Sequence, residues 1–119
     1  MTVVKTYHDL NVWQKGHELC ATVYKATQTF PPAEQFGLTS QMRRAAISIP
    51  SNIVEGFGRG SNKKFKQFLV IARGSTGELQ AQTDIARDLE YLTQNHYEEI
   101  ASQLVEVHKM INAFIKAIR

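Results

Sequence analysis

The chain is poor in cysteine, proline and long apolar runs, with one Cys and three Pro in 119 residues. Each scarcity excludes something. The single Cys20 cannot form an internal disulfide and fits a reducing compartment. No run approaches the roughly 20 apolar residues of a membrane span. The stretch from Met1 to Trp13 has no apolar centre of signal-peptide length. The expectation is a cytoplasmic protein with no membrane partner. No segment alternates apolar and polar residues as a half-buried strand does, which leaves an all-α chain. Scarcest of all is negative charge in the middle of the sequence. Between Met42 and Gly77 it is Glu55 alone.

What is present is helical periodicity in an ordinary globular composition, 43% hydrophobic and 21% charged. That length suits one domain over residues 1–119. The pattern predicts four helices. The first runs from about Leu10 to Thr29, with Asp9 as N-cap and an apolar stripe through Val12, Gly16, Leu19 and Val23. Pro31-Pro32 ends it. The second starts near Thr39 or Ser40 and breaks at Gly56-Phe57-Gly58-Arg59-Gly60, where a helix-terminating turn is expected. Ser61 or Asn62 caps the third, which continues to about Leu92. Thr93 caps the fourth, with a stripe of Tyr97, Ile100, Ala101, Leu104, His108, Ile111, Ile115 and Ile118. Long amphipathic helices on short connectors pack as an antiparallel up-down four-helix bundle.

Two helices carry more apolar surface than a single core needs. On the second, Met42, Ala46, Ile49, Ile53 and Phe57 share one face, and Ile47 and Val54 share another roughly 90° round. The third has the unbroken run Phe68 to Ala72. Such a surplus has two readings. One is deep burial in a tight bundle, and the other is an interface with a second subunit through Ile47, Val54, Phe68 and Ile71.

The missing acids leave a basic segment. Arg43, Arg44, Arg59, Lys63, Lys64, Lys66 and Arg73 stand against Glu55, a local balance of +6. The other residues carry seven cations and ten anions, or −3. Lysines in the first turns of a helix oppose the positive end of its dipole, each at a cost of about 0.3–1 kcal/mol. Yet Lys63, Lys64 and Lys66 all fall there. Local stability does not ask for them, whereas phosphates would. A merely solvated basic face is the alternative.

Familiar catalytic patterns fail. Gly56, Gly58 and Gly60 lack the spacing and the preceding strand of a dinucleotide loop. No Glu stands three residues before any of the four histidines, as a di-iron bundle requires. His17 and Cys20 are one turn apart, which in principle activates a thiolate, but a buried helical cysteine beside a structural histidine is the ordinary reading. His108 reads as a core or interface histidine. No enzyme constellation, metal site or cofactor is expected.

Several segments together resemble a known family. They are Val12-Trp13-Gln14-Lys15, Phe36-Gly37-Leu38-Thr39-Ser40-Gln41, Arg43-Arg44-Ala45-Ala46, Ser48 to Ile53, Glu55 to Arg59, Phe68-Leu69, Ala72 to Ser75 and Glu78-Leu79. The family is that of the four-helix bundle proteins first noticed in intervening sequences of bacterial 23S rRNA genes. The chain is also similar to the accessory protein of diversity-generating retroelements. The resemblance implies an up-down bundle that assembles into a homopentameric ring. It further implies basic surface for nucleic acid and contact with a protein such as a reverse transcriptase or ribosomal component. Val54, Gly77 and His96 depart from the family's usual alanine, non-glycine and capping glutamate. The combined expectation is a non-enzymatic homo-oligomer that binds nucleic acid, RNA before DNA with rRNA as one candidate, through the seven cations named above. The alternative is a protein-interaction scaffold docking an acidic partner.

Overall fold

Residues 4–118 are described by a computed structural model of the chain. Four α-helices account for most of them: α1 Asn11–Thr27, α2 Leu38–Phe57, α3 Asn62–Asp88 and α4 Gln94–Ala117. Short 3-10 turns, Tyr7–Asp9 and Pro32–Glu34, precede α1 and α2. No strand occurs among the described residues. Each helix packs on its sequence neighbours, and α1 closes the square against α4. The result is an up-down bundle 44 × 26 × 21 Å across. Its long axis matches α3, whose 27 residues span about 41 Å at 1.5 Å each.

The core follows the 3.6-residue period. Leu19, Val23, Met42, Ile49, Ile53, Leu69, Leu79, Ile100 and Ile111 are fully shielded from solvent. Two glycines set how closely the helices approach. A Cβ on Gly16 would sit 3.4 Å from Ile49 Cγ2 and 3.7 Å from Pro50, where α1 crosses α2. A Cβ on Gly56 would fall 2.7 Å from Phe68 Cβ, an overlap. Gly56 therefore lies inside α2 as a packing residue at the α2–α3 crossing. The turn expected of it falls to Gly60, whose φ of 78° is left-handed. α2 runs unbroken through Pro50, which is buried.

Helix ends differ from expectation where side chains reach across turns. Asp9 does not cap α1. Its carboxylate turns back to accept from the Lys5 and Thr6 amides at 2.9 and 3.1 Å, and Leu10 takes the N-cap position without a side-chain bond. Those two amide bonds hold the Asp9 carboxyl below the usual carboxylate range. α1 stops at Thr27, two residues early, as Phe30 folds back to donate its amide to the Thr27 carbonyl. Neither Thr39 nor Ser40 caps α2. The Glu34 carboxylate, one turn earlier, accepts from the Leu38 amide at 3.2 Å, an anion at the positive end of the dipole. α3 ends at Asp88 rather than Leu92. Glu90 adopts a φ of 62°, and the amides of Glu90 and Tyr91 return to the Arg87 and Ala86 carbonyls at 2.9 Å. That is a Schellman closure with a glutamate in the glycine position. Ser61 and Thr93 do cap α3 and α4, accepting from Lys64 and His96 at 3.2 and 3.1 Å.

On α4 the buried positions are Ile100, Leu104, Val107, Ile111 and Ile115. Val107 takes the inward position expected for His108. His108 is exposed, its Nδ1 3.0 Å from the Thr76 hydroxyl of α3.

Candidate nucleic-acid interface

The turn between α2 and α3 gathers four of the seven cations. Ser61 caps α3 and so fixes the register of its first turns. That register points Lys63, Lys64 and Lys66 outward around Phe65, which is buried against Phe57 and Phe114. None of the three lysines lies within ion-pair distance of a carboxylate among the described residues. Arg59 differs: its guanidinium pairs with Glu55 and lies over the Phe68 ring at 5.1 Å.

The other three cations lie elsewhere. Arg44 lies thirteen residues before the end of α2 at Phe57, about 20 Å along the axis from the α2–α3 turn. It is exposed, whereas its neighbour Arg43 is engaged within the bundle. Arg43 Nε donates to the Thr27 hydroxyl at 2.9 Å, and the guanidinium covers the Tyr24 ring at 4.6 Å. Arg73 is half-buried and donates to Asn112 of α4 at 3.0 Å. Contiguity in sequence thus does not become one continuous patch on the bundle.

Two further cations share the end with the lysines, and sequence order hides them. Val4, Leu10, Gly60, Asn62, Phe114 and Ile118 line one shallow depression, which brings the segment before α1, the α2–α3 turn and the end of α4 together. Exposed Lys5 and Lys116 adjoin those residues. The acids here are already occupied, Asp9 by backbone amides and Glu55 by Arg59. The opposite end, at the α1–α2 and α3–α4 connections, carries Glu34, Asp84, Asp88, Glu90, Glu98 and Glu99 against Lys25, Arg43, Arg44 and Arg87, a balance of −2. Charge is therefore separated along the long axis.

The four apolar positions expected at a subunit contact are only partly covered. Ile47 and Ile71 are 41% and 51% exposed. Val54 is half-buried beside Trp13, His17 and Pro50. Phe68 is half-buried at the Gly56 crossing under Arg59. Ile71 and Val70 share an open groove of about 450 Å³ with Lys63, Lys66 and Gln67, so exposed apolar and basic side chains adjoin. Within the run Phe68 to Ala72, only Leu69 and Ala72 are buried. Cys20 is half-buried, and burial pushes its thiol up, away from a thiolate. His17 instead stacks on Trp13, with centroids 4.9 Å apart.

Comparison with known proteins agrees with this architecture. The model of the 23S rRNA-intervening sequence protein family matches residues 8–113. A crystal structure from Bacteroides thetaiotaomicron, described as a protein of unknown function from the S23 ribosomal protein family, superposes with a TM-score of 0.80 at 25% identity. The match covers 88% of this chain and 95% of that one. No functionally curated protein matches the chain. Among the described residues, no helix is long and apolar enough to cross a membrane.

Proposed function

The chain belongs to the 23S rRNA-intervening sequence protein family, and from that premise we propose that it is a non-enzymatic, homo-oligomeric RNA-binding bundle of the cytoplasm. One observation carries the reading. Lys63, Lys64 and Lys66 stand at the start of α3, exposed and without carboxylate partners, where the helix dipole already disfavours cations. A polyanion relieves that repulsion, and the backbone amides of the same turn favour it further. Arg59, Lys5 and Lys116 extend the surface, and Arg44 adds a contact farther along the bundle. Arg43 and Arg73 hold helices together through Thr27 and Asn112 and act on binding indirectly.

Assembly is the second part of the proposal. Ile47 and Ile71 face solvent on α2 and α3. Gly74 and Gly77 have nothing within 4 Å of an added Cβ, which leaves the outer face of α3 open to a neighbouring helix. The α2 surface of one copy against the α3 surface of the next is a heterologous contact, and such contacts close into rings when the rotation permits. A pentamer is the ring proposed, in keeping with the family resemblance.

The test is a titration of labelled structured RNA, single-stranded RNA and duplex DNA at several salt concentrations. The logarithm of affinity should fall against that of salt with a slope of about 0.7–0.9 per phosphate contacted. Changing Lys63, Lys64 and Lys66 to Glu should abolish binding while the oligomer persists. No binding at low salt, or binding indifferent to those lysines, transfers the function to a scaffold for an acidic protein.

A further inference from the structure

A recess of about 320 Å³ opens between the N-terminal turn, α1 and α2, lined by Tyr7, Trp13, His17, Pro50, Ser51 and Val54. Its aromatic wall is continuous. Trp13 and His17, one turn apart on α1, stack at 4.9 Å with their planes 24° apart. Tyr7 meets Trp13 edge-on at 5.0 Å, and His8 stacks on Tyr7 at 4.1 Å. The rings stay partly open: His17 is exposed, and Trp13 and Tyr7 are half-buried. At the rim, the His17 ring nitrogens and the Ser51 hydroxyl are free of hydrogen bonds to other side chains among the described residues.

We propose that this recess binds an unpaired nucleobase of single-stranded RNA, stacked against the Trp13–His17 wall. The inference rests on the RNA-binding reading and adds a site to it. Planar π faces with polar edge groups suit a flat heteroaromatic ring that carries donors and acceptors. An aliphatic side chain would leave the imidazole and the hydroxyl unused. Charge supports the same occupant. Exposed Lys5 stands two residues before Tyr7 of the recess, so a strand with a base in the recess brings its phosphates to the lysine-bearing end. Aromatic stacking platforms beside a basic track are the usual device for single strands.

Trp13 is the only tryptophan, so its emission reports on the recess directly. The full chain is titrated with oligo(A) of about 12 nucleotides, within the range of single-strand site sizes. An abasic strand with the same number of phosphates and a duplex are titrated in parallel. Oligo(A) should quench Trp13, and the abasic strand should bind more weakly and leave emission unchanged. His17→Ala should weaken oligo(A) binding about ten-fold and abasic binding not at all. Ser51→Leu, which fills the recess from an exposed position, should do the same; far-ultraviolet circular dichroism and elution volume verify both folds. Binding of both strands with Trp13 undisturbed overturns the recess and leaves the lysine surface standing. Binding of neither strand nor of the duplex overturns both proposals. Emission that changes with protein concentration but not with oligonucleotide places a second copy in the recess and overturns the base.

Discussion

Gly56 and Glu90 show how single residues are constrained in opposite directions. Gly56 has no space for a side chain, since its Cβ would overlap Phe68. Gly56→Ala should therefore destabilise the bundle by about 1–3 kcal/mol, read as a lower urea midpoint. Glu90 is the reverse, a side chain where glycine fits better, at a φ of 62°. Glu90→Gly should raise stability by about 1 kcal/mol in the same assay. Neither effect is legible in the sequence. Gly56 sits in a glycine-rich run that reads as a turn, and only its crossing with Phe68 assigns it to packing. The end of α3 has no glycine to announce it, so the apolar pattern carries on to Leu92 after the helix has stopped. Asp9 was likewise a recognisable cap, but of the wrong turn.

At the scale of the element, caps supplied by the adjacent residue could be read, and caps supplied from one turn away could not. Ser61 and Thr93 bond to amides three residues on, a local geometry the sequence displays. Glu34 reaches the α2 N-terminus from the preceding turn while its other oxygen accepts from the Tyr91 hydroxyl at 2.9 Å, a contact between distant connectors. The N-terminal turn is a small element with its own titration. Asp9 accepts from two amides in the folded state, so its pKa lies below that of the unfolded chain. The contribution of that turn is complete above the unfolded carboxylate value, about 3.9, and is lost as pH falls through the depressed folded value. Acidification should change Trp13 emission as the Tyr7–Trp13 contact loosens, and Asp9→Asn should remove that transition.

For the whole molecule, the four-helix order and most of the core were legible because the 3.6-residue period persists through every helix. The candidate site was legible in part. Lys63, Lys64 and Lys66 were conspicuous against their own dipole, but the spread of Arg43, Arg44 and Arg73 along the bundle follows from helix rise and from partners such as Thr27 and Asn112. Lys5 and Lys116 join the lysines only because the up-down path returns the start of α1 and the end of α4 to that end. Assembly has a direct test. Ile47→Asp or Ile71→Asp puts a charge on a proposed subunit contact and should reduce the mass found by light scattering to that of one chain, with helicity unchanged. A wild-type mass of one chain at tens of micromolar would remove the ring from the proposal.

The separation of charge along the long axis makes each bundle an electric dipole as well as a carrier of net charge. Near a polyanion, such a particle experiences a torque before contact and arrives lysine-end first. Its productive collision rate should fall with salt even where the final contacts are unchanged. Copies packed side by side with the same polarity would have parallel dipoles, which repel across the ring. Salt would then act in two directions, easing the ring together by screening that repulsion while releasing nucleic acid from its basic rim. An ionic strength that favours one process weakens the other, so a complex of ring and RNA should have an optimum between the two.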